Sequence, residues 1–183
     1  YVNRMLTLGA DGFIIQPTPG FHETSKLITH LKKPFVYFDS KVYEDDSFWV
    51  KTDNYTATHK AMQELIARGY RNFLMIGADA SKLSTRIERS SGFIDCITES
   101  GLSFQSLEIR DGAINHADIL SFVQRNLKDT DATLVYVPNC WALPEVCDAL
   151  QPLRDRIPQK LGIIGFDNTE WASFSSPRIT TIV

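Results

Sequence analysis

The chain has 183 residues, of which 43% are hydrophobic and 22% charged, with a formal net charge of −3. This is enough for one good domain or two small lobes with a real core, and the composition excludes a disordered chain. No apolar run approaches the roughly 18–20 residues of a spanning helix, and no Lys/Arg run exceeds two residues, so the segment lacks the clustered cations that grip a phosphate backbone.

In chain order, Val2, Met5, Leu6 and Gly9 keep one helical face, and residues 12–16 read as a short buried strand ending at Pro17. Leu27, Ile28 and Leu31 predict a second helix, with Lys32 and Lys33 in its last turn and Pro34 as its stop. Residues 35–39 are the next strand, and the polar stretch 40–48 reads as a connection. Asp53 or Asn54 can cap a helix whose face is Ala57, Ala61, Met62, Leu65 and Ile66, closed by Arg68 and Gly69. Residues 72–77 form a strand, residues 88–100 a helix with Ile94 and Ile97 inward, and residues 106–110 a weaker strand. Asn115 and Asp118 resemble a capping pair before a helix carrying Ile119, Leu120, Val123 and Leu127. Residues 133–137 are a strand, Leu143, Val146, Cys147 and Leu150 mark a helix with Pro144 in its first turn, and residues 161–166 are the last firm strand.

Short strands with little polar alternation, separated by amphipathic helices, predict parallel sheets covered on both faces, a doubly wound α/β architecture with right-handed crossovers. The polar connection near 40–49 favours two lobes over one sheet. The chain opens mid-pattern at Tyr1, so it is expected to be a fragment, and the lack of a visible signal peptide says little. The three cysteines, Cys96, Cys140 and Cys147, fall in or beside helical patterns and read as small core residues of a reducing compartment.

In open parallel sheets, ligands bind outside the carboxyl ends of the strands. The residues that follow the strands are Gln16 and Thr18, Asp39, Asp79, Arg110 and Asp111, Asn139, then Asp167 and Asn168. Such a set suits hydroxyl-rich ligands: carboxylates accept from hydroxyls, amides do both, and an arginine clamps paired oxygens. Each residue is equally the kind of polar group that loop turns require. No catalytic residue, metal or cofactor is expected. There is no Gly-rich phosphate loop, His22, His30, His59 and His116 are scattered, Cys140 lacks a local base, and no nucleophile elbow occurs. The sequon Asn54-Tyr55-Thr56 at a helix start reads as chance.

Three segments taken together resemble the effector-binding core of the LacI/GalR transcriptional repressors. "VKTDNYTATHKAMQELIARGYRNFLMIG" is similar to that family's Asp-Asn opening, its helix and its turn into a strand. "RSSGFIDCITESG" resembles its Arg-x-x-Gly-Phe helix, and "LGIIGFDNTEWASFSSPRITTIV" its closing Gly-Phe-Asp and Pro-x-x-Thr-Thr-Ile. The resemblance implies two doubly wound parallel-sheet lobes with a ligand cleft between them, as in periplasmic binding proteins, the N-terminal lobe being incomplete. Residues 1–49 would belong to that lobe, 50–176 to the C-terminal lobe and 177–183 to a strand crossing back.

The resemblance assigns effector contacts to Arg89 and Asp167, and further contacts to Gln16 and Thr18. Structural alternatives are a surface Arg89 paired with Glu88 or Asp95, and a turn-forming Asp167. "VPNCWALP" leaves open whether Asn139 takes the family's Asn or its Asp place. Ile114 stands where a stacking aromatic is common, and Trp141 or Trp49 could substitute, although large aromatics more often pack a core. The implied protein is a cytoplasmic, homodimeric regulator, a repressor in the family's usual sense, without a membrane segment. It would answer a sugar, sugar acid or sugar phosphate and reach operator DNA through a helix-turn-helix domain outside this chain. The alternative is an extracytoplasmic sugar-binding protein of a transporter, against which stand the three cysteines and the Pro-x-x-Thr-Thr-Ile ending.

Overall fold

The computed structural model describes residues 1–18, 20–42, 47–81, 83–110 and 112–183. Asp111, one of the strand-end residues above, and part of the polar connection fall outside that set. The chain divides into two compact units, one of residues 1–53 with 81–87, the other of residues 54–80 with 88–183.

The first unit runs α1 (Val2–Thr7), β1 (Phe13–Ile15), α2 (His22–His30), β2 (Phe35–Phe38) and β3 (Trp49–Val50). Its three strands are parallel in the order β1-β2-β3. A small core of Ile15, Ile28 and Tyr37 holds them, with Phe21 and Phe35 meeting the Tyr37 ring edge-on at 6.1 and 5.4 Å. β3 has two residues, too short to show a period, and sequence pattern did not reveal it. Asp39, directly after β2, turns the chain with φ of +66° and accepts a hydrogen bond from Gln16 Nε2 at 2.8 Å.

The second unit contains α3 (Asn54–Ala67), β4 (Tyr70–Gly77), α4 (Ser84–Glu99, its first residues grouping with the first unit), β5 (Phe104–Glu108), α5 (His116–Asn126), β6 (Ala132–Val137), α6 (Leu143–Ala149), a 3-10 turn at Gln151–Arg156, β7 (Leu161–Phe166), α7 (Glu170–Phe174) and β8 (Thr180–Ile182). All five strands are parallel, in the order β5-β4-β6-β7-β8. Successive strand residues face opposite ways, and the sequence supplies apolar groups to both sides. Leu74, Ile76, Val135, Val137, Leu161 and Ile163 pack under α5, α6 and α7. Phe73, Leu134, Tyr136, Ile164 and Phe166 pack under α3 and α4 with Met62, Phe93 and Ile97. This is the doubly wound parallel α/β architecture that the sequence predicts.

Several boundaries differ from the sequence pattern, and for α4 and β5 the contacts at the new ends can be named. α4 begins at Ser84 instead of residue 88, and Ser84 Oγ accepts from the Lys41 amide at 2.9 Å. β5 occupies 104–108 instead of 106–110, because Phe104 pairs in register with Phe73 and packs edge-on against Phe93 at 5.4 Å. α7 is a single five-residue helix begun by Thr169, whose side chain accepts from the Ala172 amide; it is too short for a helical period to show.

The strand order positions the candidate site. From β4 the chain steps outward to β5 and returns on the other flank of β4 as β6, so the loops after β4 and β6 leave in different directions from the carboxyl edge. Such a switch point opens a crevice suited to a ligand.

Candidate functional site

Arg89 lies in the first half of α4, on the face that packs against the sheet. The residue is 8% exposed. A buried guanidinium needs its five N–H donors answered, since it cannot shed its charge. Nε donates to Asn54 Oδ1 at 2.8 Å and Nη1 to the Pro138 carbonyl at 2.8 Å, while Nη1 also stands 3.5 Å from Asp167 Oδ2. Cζ rests 3.6 Å from the centroid of the Phe166 ring, a cation–π contact. The two Nη2 donors have no acceptor among the described residues.

Asp167 follows β7 directly. Its amide donates to the Ile182 carbonyl of β8 at 2.9 Å, and its φ of +69° turns the carboxylate off the strand line. Asp tolerates this left-handed conformation better than most residues. The side chain is 49% exposed, against 10% for that of Arg89, so one member of the pair is fixed and the other is wet.

The motif around Arg89 has a mechanical reason. Three residues on, Gly92 faces α3 so closely that a Cβ there would sit 2.5 Å from the Tyr55 carbonyl oxygen and 3.2 Å from Thr58 Cβ. Phe93 turns to the sheet, stacked on Tyr136 at 5.4 Å. In Arg-x-x-Gly-Phe the arginine reaches the carboxyl edge, the glycine admits α3 and the phenylalanine anchors the helix.

Of the residues singled out in the sequence, Arg89 and Asp167 are brought together directly. Asn139 is buried beside them, and its Oδ1 accepts from the Ala78 amide at 2.8 Å, joining the loops after β4 and β6. Pro138, its neighbour, supplies the carbonyl that Arg89 uses. Trp141 is half-buried against the core under α5 and α6. Gln16 and Thr18 belong to the first unit, both exposed at the carboxyl end of β1. Arg89 pairs with neither Glu88 nor Asp95, the latter carboxylate accepting from Tyr55 Oη at 3.0 Å.

Cys140 lies against the pair. Burial first, then the Asp167 charge, push its thiol pKa up, while Arg89 acts the other way. Both upward effects favour the thiol over the thiolate, which is the nucleophilic form. Among the described residues no group of three or more His, Cys, Asp or Glu side chains is placed to hold a metal ion. No described helix is long and apolar enough to cross a membrane.

Sequence reasoning missed Asn54, the Pro138 carbonyl and Phe166. Asn54 was visible as a candidate helix cap, in a sequon read as chance and in the Asp-Asn opening, but not as a partner of Arg89, and a backbone carbonyl leaves no mark in a sequence.

A family model described as periplasmic binding proteins and sugar binding domain of LacI family matches residues 1–136. The chain belongs to this family. Among curated LacI-family relatives it is 25% identical to the HTH-type transcriptional regulator KdgR of Bacillus subtilis, over 94% of this chain and 51% of that protein. It is 29% identical to the probable HTH-type transcriptional regulator EndR of Paenibacillus polymyxa, over 100% of this chain and 54% of that protein. The chain thus spans about half the length of the curated relatives it matches. The same fold appears in a solved transcription regulator like protein from Staphylococcus haemolyticus, with a TM-score of 0.82 at 18% identity over 98% of this chain and 64% of that one.

Proposed function

We propose that this chain is the effector-sensing part of a LacI-type transcriptional regulator, a cytoplasmic homodimer of the repressor kind. It binds a sugar or sugar-derived ligand at the carboxyl edge of the five-stranded sheet. Operator DNA is reached through a helix-turn-helix domain outside this chain. The curated relatives, regulators by name, support the regulator over a transport protein.

One observation carries the ligand assignment: Arg89 is held on three sides with Nη2 unbonded, beside a half-exposed Asp167. A hydroxyl placed there accepts from Nη2 and donates to Asp167, using both groups at once. A ligand carboxylate or phosphate at the same spot would lie against the Asp167 charge. Sugar hydroxyls are therefore the contact proposed for this pair, and the acid or phosphate of a sugar acid or sugar phosphate would bind elsewhere. A coupling of about 1–3 kcal/mol between ligand and DNA sites suffices for a regulatory response.

The test is a thermal-shift panel of D-glucose, D-ribose, D-gluconate and D-glucose 6-phosphate, with adenine as the non-sugar. A bound ligand at a hundredfold excess over Kd adds about 2.7 kcal/mol of stability. At least one polyhydroxylated member should raise Tm in the wild type, and Arg89→Ala and Asp167→Ala should each abolish that rise while remaining folded. A wild-type response in both variants overturns the site, and a response to adenine alone overturns the ligand class.

A further inference from the structure

We propose that Asn54 is the positioning residue of Arg89, fixing the plane in which the guanidinium presents its unbonded Nη2 edge. The functional meaning of that edge rests on the effector reading above.

Asn54 is the first residue of α3 and is fully buried. A buried amide at a helix start ordinarily serves the helix itself, as a cap. Its Oδ1 accepts from Arg89 Nε, 35 positions along the chain, at 2.8 Å. Its Nδ2 faces Glu88 Oε2 at 3.4 Å. The two contacts fix which way round the amide sits. Arginine Nε can only donate and the Glu88 carboxylate only accept, so a flipped amide would set donor against donor and acceptor against acceptor.

The other Arg89 contacts leave a freedom that Asn54 removes. The Phe166 ring supports the guanidinium from one face, at 3.6 Å, but a ring face permits the plane to swivel upon it. Nη1 is drawn towards both the Pro138 carbonyl and Asp167, the latter at the long distance of 3.5 Å. Nε lies at the opposite corner of the fork from these groups. A short bond at that corner stops the swivel, and so determines where Nη2 points.

The residue type also matters. An aspartate would supply the same acceptor but would bring a second anion to a guanidinium that already pairs with Asp167, beside Glu88. A neutral amide orients the arginine without neutralising it again, and leaves its charge to Asp167 and to a ligand.

The experiment follows the Nε–H signal of Arg89 by NMR in ligand-free protein, assigned by its loss in Arg89→Lys. The exposed Arg125, assigned by Arg125→Lys, is the reference. The wild-type Arg89 Nε–H should exchange with water at least about tenfold more slowly than that of Arg125, as a buried hydrogen bond requires. Asn54→Ala should remove the protection and average the two Nη signals, whereas Asn54→Asp, which keeps an oxygen in place, should retain it. Equal exchange at Arg89 and Arg125 in the wild type overturns the proposal without any variant, so a poorly folding Asn54→Ala does not shelter it. Retained protection in a folded Asn54→Ala, or its loss in a folded Asn54→Asp, also overturns it. No ligand enters these measurements, so their failure is distinct from that of the effector reading, which Arg89→Ala reports in the sugar panel.

Discussion

Gly92 of α4 lies against the Tyr55 carbonyl of α3 at a separation that leaves no room for a methyl group, the position of a Cβ being 2.5 Å from that oxygen. Gly92→Ala must therefore part the two helices or distort one of them. Overpacking of this kind costs about 1–3 kcal/mol. The urea midpoint should fall accordingly, and because Arg89 lies less than a turn away on the same helix, its hydrogen bonds should loosen too. An unchanged midpoint would mean that α3 and α4 separate without cost.

Asn72 ties three elements together where the pairing of β4 and β6 is irregular. Its Nδ2 donates to the Asn126 carbonyl at the end of α5, at 2.7 Å, and stands 2.9 Å from Thr133 Oγ1 of β6. Asn72→Ala leaves both partners without a donor in a buried setting, at about 1–3 kcal/mol. Asn72→Asp should be worse, because a carboxylate facing two oxygens cannot donate. Chemical denaturation of the two variants checks the order, and a more stable Asp variant would contradict it.

Alkaline pH should unfold the chain progressively. Burial pushes the Cys147 thiol from 9.0 up to about 12. The same cause raises the Tyr136 hydroxyl, with the Thr58 hydrogen bond acting in the opposite sense. Both groups hold their proton longer in the folded chain than in the unfolded one. The Cys147 contribution is therefore complete below pH 9 and lost as pH climbs towards 12, that of Tyr136 begins to be lost only from pH 10.0 upward, and both have the sign of a stability that falls with rising pH. Tm should decline over that window, and Cys147→Ala should flatten part of the decline. A Tm that holds steady between pH 9 and 11 would count against this account.

Gly162 in β7 lies directly against the Tyr70 hydroxyl, with Tyr70 Cζ 2.8 Å from the position of a Cβ. Gly162→Ala should destabilise the domain. Tyr70→Phe removes the nearest atom, so the alanine penalty in that background should shrink by about 1 kcal/mol, but persist because the ring remains. A double-mutant cycle measures this coupling, and strict additivity would show that Tyr70 is not the obstacle.

The fold was legible because the alternation of apolar strands and amphipathic helices is a repeated, local signal. Six of the eight strands matched short apolar runs, including β5 displaced by two residues. β3, with two residues, could not show a period, and β8, expected within the strand of residues 177–183 that crosses back, occupies Thr180–Ile182 beside β7. The site was legible in part. Arg89 and Asp167 could be marked through the segments that resemble a known family, whereas spacing alone could not join residues 78 positions apart. Asn139 shows what the sequence leaves out: its type suits a ligand contact, and its oxygen also accepts from the Ala78 amide of a neighbouring loop. Which polar group after a strand faces outward depends on the neighbouring loop, and one sequence does not contain that pairing in readable form.

Asp39 and Asp167 both end a parallel strand with the backbone in the left-handed region, at φ of +66° and +69°. Glycine would hold the same turn with less strain, by about 1 kcal/mol for the backbone alone. Heat resistance and ligand recognition therefore pull these two positions apart. A library selected only for survival at high temperature should drift towards glycine at both, while one selected for response to a sugar should keep the carboxylate at 167.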